Sequence, residues 1–181
     1  MTVDQEVLDW MVEHRSPWAT TLFTLITTVG STVGVTLATV VVALLLARSG
    51  FRQQAIAMGL TLAIGWGLMN ALKYAFRRER PPLPERLVEL SSYAFPSGHA
   101  MMSAMFAAAL VTVLVTIRVA PKRTRAAAAV VTAASLLIGL SRIYLGAHWF
   151  SDVVAGWTFG ALFGVAGVLL SRKLLSAGAV R

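Results

Sequence analysis

The sequence contains no cysteine. Disulfide frameworks, thiolate metal sites and cysteine nucleophiles are therefore excluded. Charge is scarce too: only 13% of the 181 residues are Asp, Glu, Lys or Arg, against about 25% in soluble domains. Acids are scarcer still, eight against sixteen Lys and Arg. Apolar residues make up 57% of the chain and mean hydropathy is +0.72. Lipid rather than water is the expected main solvent. The net charge of +8 invites a nucleic-acid reading, but the distribution of the basic residues argues against it, and no nucleic-acid partner is expected.

What is present is a series of uncharged runs: 16–47, 53–72, 100–117, 126–141 and 153–171. A helical span needs roughly 20 apolar residues, and three runs fit directly. The 126–141 run is short, but its helix can continue through Ile143–Leu145 if Arg142 faces the protein interior. The 32 residues of 16–47 would reach about 48 Å at about 1.5 Å each, too long for one straight span. Gly30, Ser31 and Gly34 mark the break, giving a short hydrophobic helix at 17–29 and a span at about 32–48. One domain, 1–181, is expected: an all-α polytopic membrane bundle of five spans, or six if 17–29 crosses by itself.

Five spans put Arg48, Arg52, Arg118, Lys122, Arg123, Arg125, Arg172, Lys173 and Arg181 on one side, with every Asp and Glu on the other. A Lys/Arg excess marks the cytoplasmic side. The N-terminus and the 78–95 loop, rich in proline (Pro81, Pro82, Pro84, with Pro96 following), then lie on the extracytoplasmic face of the cell membrane. Residues 1–15 are acidic and lack the basic start of a signal peptide. Val3, Val7, Trp10 and Met11 share a helical face there, as in an interfacial helix; a frayed tail fits the same stretch. Gly156, Gly160 and Gly164 form a small-residue stripe suited to close helix packing within the bundle or, alternatively, in a dimer. Met101, Met102 and Met105 read as packing residues.

Ionisable residues beside apolar spans are functional candidates. Lys73, Arg77, Arg78 and Arg80 crowd the outer end of the 53–77 span, with Lys73, Arg77 and Arg80 on one face if the helix persists. They could snorkel or bind an anion. Pro96-Ser97-Gly98-His99 precedes the 100–117 span: Ser97 can cap the helix, Gly98 lets an anion approach, and His99 can donate a proton. A capped helix with an interfacial histidine fits equally. Ser141-Arg142, His148 and Asp152 form the third cluster. One helical turn separates His148 from Asp152, so the carboxylate can orient the imidazole and leave its other nitrogen free to attack. Arg142 offers a fork for phosphate oxygens. A structural His–Asp pair with a balancing Arg is the plainer alternative. Trp149 and Phe150 suit the interfacial aromatic belt.

Together, Lys73-x6-Arg80-Pro81, Pro96-Ser97-Gly98-His99 and Ser141-Arg142-x5-His148-x3-Asp152 fill eleven positions in order. This arrangement resembles the three-part signature of the type 2 phosphatidic acid phosphatase superfamily, which includes lipid phosphate phosphatases and undecaprenyl pyrophosphate phosphatases and is related to vanadium haloperoxidases. The resemblance implies a hydrolase acting on a membrane lipid phosphate through a phosphohistidine. His148 would attack phosphorus, Asp152 support it, and His99 protonate the leaving oxygen. Lys73, Arg80, Ser97, Gly98 and Arg142 would hold the phosphate, with Arg77, Arg78 and Ser141 as accessory candidates. No metal or other cofactor is implied, since the cations would take the place of magnesium. His14 matches no motif. Many relatives carry a further span before the region matching 3–30, and none is expected here.

Two rival functions remain at this stage: a non-catalytic lipid transporter or anion-binding membrane protein, and a vanadate-dependent peroxidase. The lipid itself, whether polyprenyl pyrophosphate, phosphatidic acid or phosphatidylglycerol phosphate, is not written in the apolar spans. Outward placement favours a polyprenyl pyrophosphate. Oligomeric state is left open.

Overall fold

A computed structural model describes residues 2–83 and 85–178, with side chains in the last helix to Leu175. Pro84 and Arg181, named above, lie outside the described residues. Seven helices account for the fold among these residues: α1 (Val3–Glu13), α2 (Pro17–Val29), α3 (Thr32–Arg48), α4 (Arg52–Phe76), α5 (Gly98–Thr116), α6 (Pro121–Tyr144) and α7 (Phe150–Gly178). Proline opens α2 and α6, where its missing N–H costs nothing. Four helices, α4 to α7, are long and apolar enough to cross a membrane, and α2 with α3, bent by 49° at the break between them, has the length and composition of a broken span or a re-entrant loop. The bend falls at Gly30 and Ser31, as expected. Ser31 restarts the chain by accepting the Gly34 N–H at 3.3 Å.

The chain is a multi-pass membrane protein. Leu25, Leu37, Leu44, Ile64, Val130, Leu162 and Leu170 are exposed, because lipid tails solvate them as well as a core would. At the centre stands α5, which packs most extensively on α7 and also touches α3, α4 and α6. The glycine stripe of α7 makes this possible. A Cβ at Gly156, Gly160 or Gly164 would collide with Ser97, Met101 or Met105 backbone oxygens in turn. That succession also shows that α5 and α7 run parallel, starting from the same end of the bundle. Met58, Met101, Met102 and Met105 fill the core.

The N-terminal helix is docked, with only part of its expected apolar face turned inward. Leu8 is buried, and Val7 and Met11 pack against Ala100, Ile143 and Val153. Val3 and Trp10 are exposed. The fold turns α1 so that Asp4 points to the start of α7, where it accepts the Ser151 N–H at 2.8 Å.

Candidate active site

Three chain junctions meet at one end of the bundle: α4 into the loop, the loop into α5, and α6 into α7. The first departs from the expected single helical face. Helix α4 stops at Phe76 because Arg77 adopts a left-handed conformation, φ 47°. Arg77 is exposed and donates to the Tyr74 carbonyl at 3.1 Å, so it turns away from the other cations. Lys73 is buried and donates to the carbonyls of Tyr93 (2.7 Å) and Pro96 (2.8 Å). It thereby stitches α4 to the segment that leads into α5. Arg80 returns through the loop. Its guanidinium donates to the Ser92 carbonyl at 2.6 Å, the Ala147 carbonyl at 2.5 Å and the Tyr93 carbonyl at 3.2 Å.

At the second junction Ser97 holds the N-cap position of α5, but its hydroxyl makes no cap bond. That hydroxyl is buried and without a protein partner among the described residues, and Ser97 is not among the residues that line the cavity described below. Its backbone N–H donates to the Asp152 carbonyl at 3.0 Å, joining the start of α5 to the start of α7. A Cβ at Gly98 would lie 3.3 Å from the Met69 sulfur, a tight contact that a small shift of that flexible side chain would relieve.

The third junction supplies the remaining groups. Arg142 is buried in α6 and donates to the Thr27 hydroxyl at 2.5 Å, while its Nε has no partner among the described residues. Ser141 bonds back to the Ile138 carbonyl at 2.6 Å, so it serves its own helix and not the pocket. His148 lies between α6 and α7, and Asp152 occupies the first turn of α7. Asp152 Oδ2 accepts the Trp149 N–H at 2.9 Å and faces His148 Nδ1 at 3.6 Å. That distance is an electrostatic contact, longer than a hydrogen bond. His148 Nε2 lies 3.1 Å from Arg80 Nη1. A guanidinium can only donate, so Nε2 is the acceptor and the ring proton sits on Nδ1, towards Asp152.

Lys73, Arg80, Gly98, His99, Arg142 and His148 all line one cavity of about 210 Å³. Asp152 stands behind His148, fully buried. Burial first, then the Arg80, Lys73 and Arg142 cations, push the His148 imidazole well below its ordinary pKa. It is therefore neutral at physiological pH, with an unprotonated Nε2 that accepts from Arg80. Arg80 is lowered to about 10, chiefly by burial, and stays charged. Such a cavity can neutralise a phosphate and present a nucleophile to it.

Arg78, an accessory candidate, does not line the cavity but grips Asp152 Oδ1 at 2.6 Å and Asp4 at 2.6 Å behind it. Sequence reasoning missed Asp4, Ser151, Thr27 and Asn70. Asn70 lines the cavity one turn before Lys73, a spacing that could have flagged it. Thr27 and Asp4 carry no local signal, because their partners lie 74 to 147 residues away. Among the described residues no group of three or more His, Cys, Asp or Glu could hold a metal.

The chain is 32% identical over 146 residues to an undecaprenyl-diphosphatase of Sulfolobus acidocaldarius, covering 78% of this chain and 65% of that protein. It is 34% identical over 96 residues to phosphatidylglycerophosphatase B of Bacillus subtilis, covering 52% and 47%. The chain thus spans less than two thirds of either curated relative. The crystal structure of a transmembrane PAP2 type phosphatidylglycerolphosphate phosphatase from Bacillus subtilis superposes with a TM-score of 0.84 at 27% identity, covering 94% of this chain and 85% of that one. LpxE from Aquifex aeolicus shares the fold, with a TM-score of 0.70 at 24% identity over 96% of both chains. The sequence model of the PAP2 superfamily matches residues 54–175, which hold all three motifs, and the chain belongs to that superfamily.

Proposed function

We propose that the protein is a phosphatase that removes the terminal phosphate of a membrane lipid through a phosphohistidine, on the extracytoplasmic side of the membrane. The observation that carries this reading is the single cavity lined by Lys73, Arg80, His99, Arg142 and His148. The cations offset charge on the phosphate oxygens, an effect strongest where water is excluded. Nε2 of His148 attacks phosphorus as the bond to the leaving oxygen breaks, and His99 gives that oxygen its proton. Water then attacks the phosphohistidine and yields its proton to His99. Phosphate leaves, and His148 returns with its proton still on Nδ1. Positioning and electrostatics supply most of the acceleration, as in other phosphoryl transfers.

An apolar groove supports a single-chain lipid. About 350 Å³ in volume, it runs between α3 and α4 and is lined by Val35, Thr39, Val40, Gly59, Leu62 and Met102. Thr32 and Trp66 belong both to this groove and to the cationic cavity. One tail can therefore lie in the groove while its phosphate sits among the cations. This favours a polyprenyl diphosphate over a two-tailed lipid such as phosphatidic acid or phosphatidylglycerol phosphate.

The test is phosphate release by purified protein from a panel of these lipids. His148→Ala should lower the rate at least about a thousandfold, roughly 4 kcal/mol. A loss below about tenfold would be incompatible with a nucleophile. Equal turnover of one-tailed and two-tailed lipids would remove the preference for polyprenyl substrates.

A further inference from the structure

The catalytic carboxylate is tied to a residue far outside the three motifs. Asp4, on α1, accepts the Ser151 N–H at 2.8 Å, the Ser151 hydroxyl at 2.6 Å and the Arg78 guanidinium at 2.6 Å. The other arm of Arg78 reaches Asp152 Oδ1 at 2.6 Å and the Ser151 hydroxyl at 2.7 Å. Asp152 Oδ2 is left to the Trp149 N–H and to His148. A continuous chain thus runs Asp4–Arg78–Asp152–His148, through α1, the loop after α4, and the start of α7. Arg78 also lies 5.7 Å above the Trp149 ring, which restricts its swing.

Each contact has a physical consequence. Asp152 is fully buried, and a buried carboxylate without a cation is costly. Arg78 is the cation hydrogen-bonded to it. A guanidinium bound to one carboxylate can turn and take both of its oxygens. Bound to two, it is held in place, and Oδ2 remains free to face the imidazole. Burial pulls the Asp4 carboxyl upward, but its bonds from Ser151 and Arg78 outweigh this and hold it below the ordinary value. Asp4 is therefore charged at neutral pH.

We propose that Asp4 and Arg78 are positioning residues that fix Asp152 against the nucleophile, so that the docked N-terminal helix is a working part of the active site. Leu8, buried with Val7 and Met11 beside it, supplies the docking that holds Asp4 in reach. The inference rests on the phosphatase reading and extends it to residues that touch no substrate.

The experiment measures kcat and KM for the full chain in lipid vesicles containing polyprenyl diphosphate. Residues that orient the ligands of a metal are worth about tenfold to a hundredfold, and the same scale is taken here for residues that orient a catalytic carboxylate. Arg78→Ala should lower kcat about a hundredfold and Asp4→Asn about tenfold, with KM changed less than about threefold. Arg78→Lys should recover part of the loss. The Asp4→Asn/Arg78→Ala double variant should fall no further than Arg78→Ala alone, since both act through one chain. Glu6→Gln, an exposed acid on the same helix, should stay within about twofold of the parent. Thermal unfolding checks that each variant is folded. Unchanged kcat in folded Arg78→Ala and Asp4→Asn, with His148→Ala inactive, overturns this inference alone. Additive losses, or a rise in KM matching the fall in kcat/KM, also overturn it. A parent that releases no phosphate, or a His148→Ala variant as active as the parent, overturns the phosphatase reading as well.

Discussion

His148 carries two consequences of being neutral inside a cationic pocket. Its imidazole titrates well below 6.5 in the folded protein, whereas in the unfolded chain it titrates near about 6.5. Below that pH the unfolded state takes up a proton that the folded state refuses, so stability falls as pH drops. Thermal unfolding should therefore weaken from pH 7 to pH 5, and His148→Gln should shrink that slope. The same shift keeps the lone pair on Nε2 available in mild acid. The acid limb of the kcat/KM profile should lie well below pH 6.5, and a limb centred at 6.5 would contradict the neutral nucleophile. Thr27 is a second case. Its hydroxyl takes the Arg142 guanidinium at 2.5 Å, and Thr27→Val would leave a buried cation short of a partner. A loss of about 1–3 kcal/mol is expected, read as a lower unfolding temperature together with weaker binding of inorganic phosphate. The motif residues were legible because their chemistry is local and ordered along the chain. Thr27 and Asp4 were not, because a threonine or an aspartate on a short helix acquires meaning only from a partner that folding brings to it.

Among the helices, α7 shows how composition becomes geometry. Its glycines let α5 approach until backbone meets backbone. At Gly164 an added Cβ would come 2.8 Å from Ala108, and at Gly156 2.8 Å from the Ser97 oxygen. Gly160→Val should therefore cost more than about 2 kcal/mol by overpacking, measured as a lower midpoint in denaturing detergent. Gly59 has nothing within 4 Å of an added Cβ, and Gly59→Ala should be tolerated within about 1 kcal/mol. The hydropathy runs placed α2 to α7 well, and the break at Gly30 and Ser31 was visible as a run too long for the bilayer. The end of α4 was less legible. Arg77 was grouped with Lys73 by periodicity, but the helix terminates one residue earlier and throws Arg77 outward. Periodicity describes a helix only as far as the helix lasts.

The whole bundle joins two environments: a small cationic cavity, and an apolar groove that opens from it between α3 and α4. Gly59 lines that groove. A bulkier residue there should hinder the tail without touching the phosphate. Gly59→Leu is expected to raise KM for a long polyprenyl diphosphate about tenfold, and to leave turnover of a short water-soluble phosphate ester unchanged. Comparing the two substrates on one protein checks this, because a damaged catalytic centre would slow both. The groove was invisible in sequence, since its lining of Val, Thr, Leu and Gly is no different from that of any span.

The cationic and histidine side chains around the cavity lie towards one end of the bundle, where α5 and α7 both begin. Only lipids in the adjoining leaflet can deliver a head group to it. In sealed vesicles with the protein inserted in one direction, release should halt once that leaflet is spent, and resume only as substrate crosses from the opposite monolayer. The slow step in a depleted membrane would then be transbilayer traffic, and the protein would act as a sink that keeps the two monolayers unequal in charge.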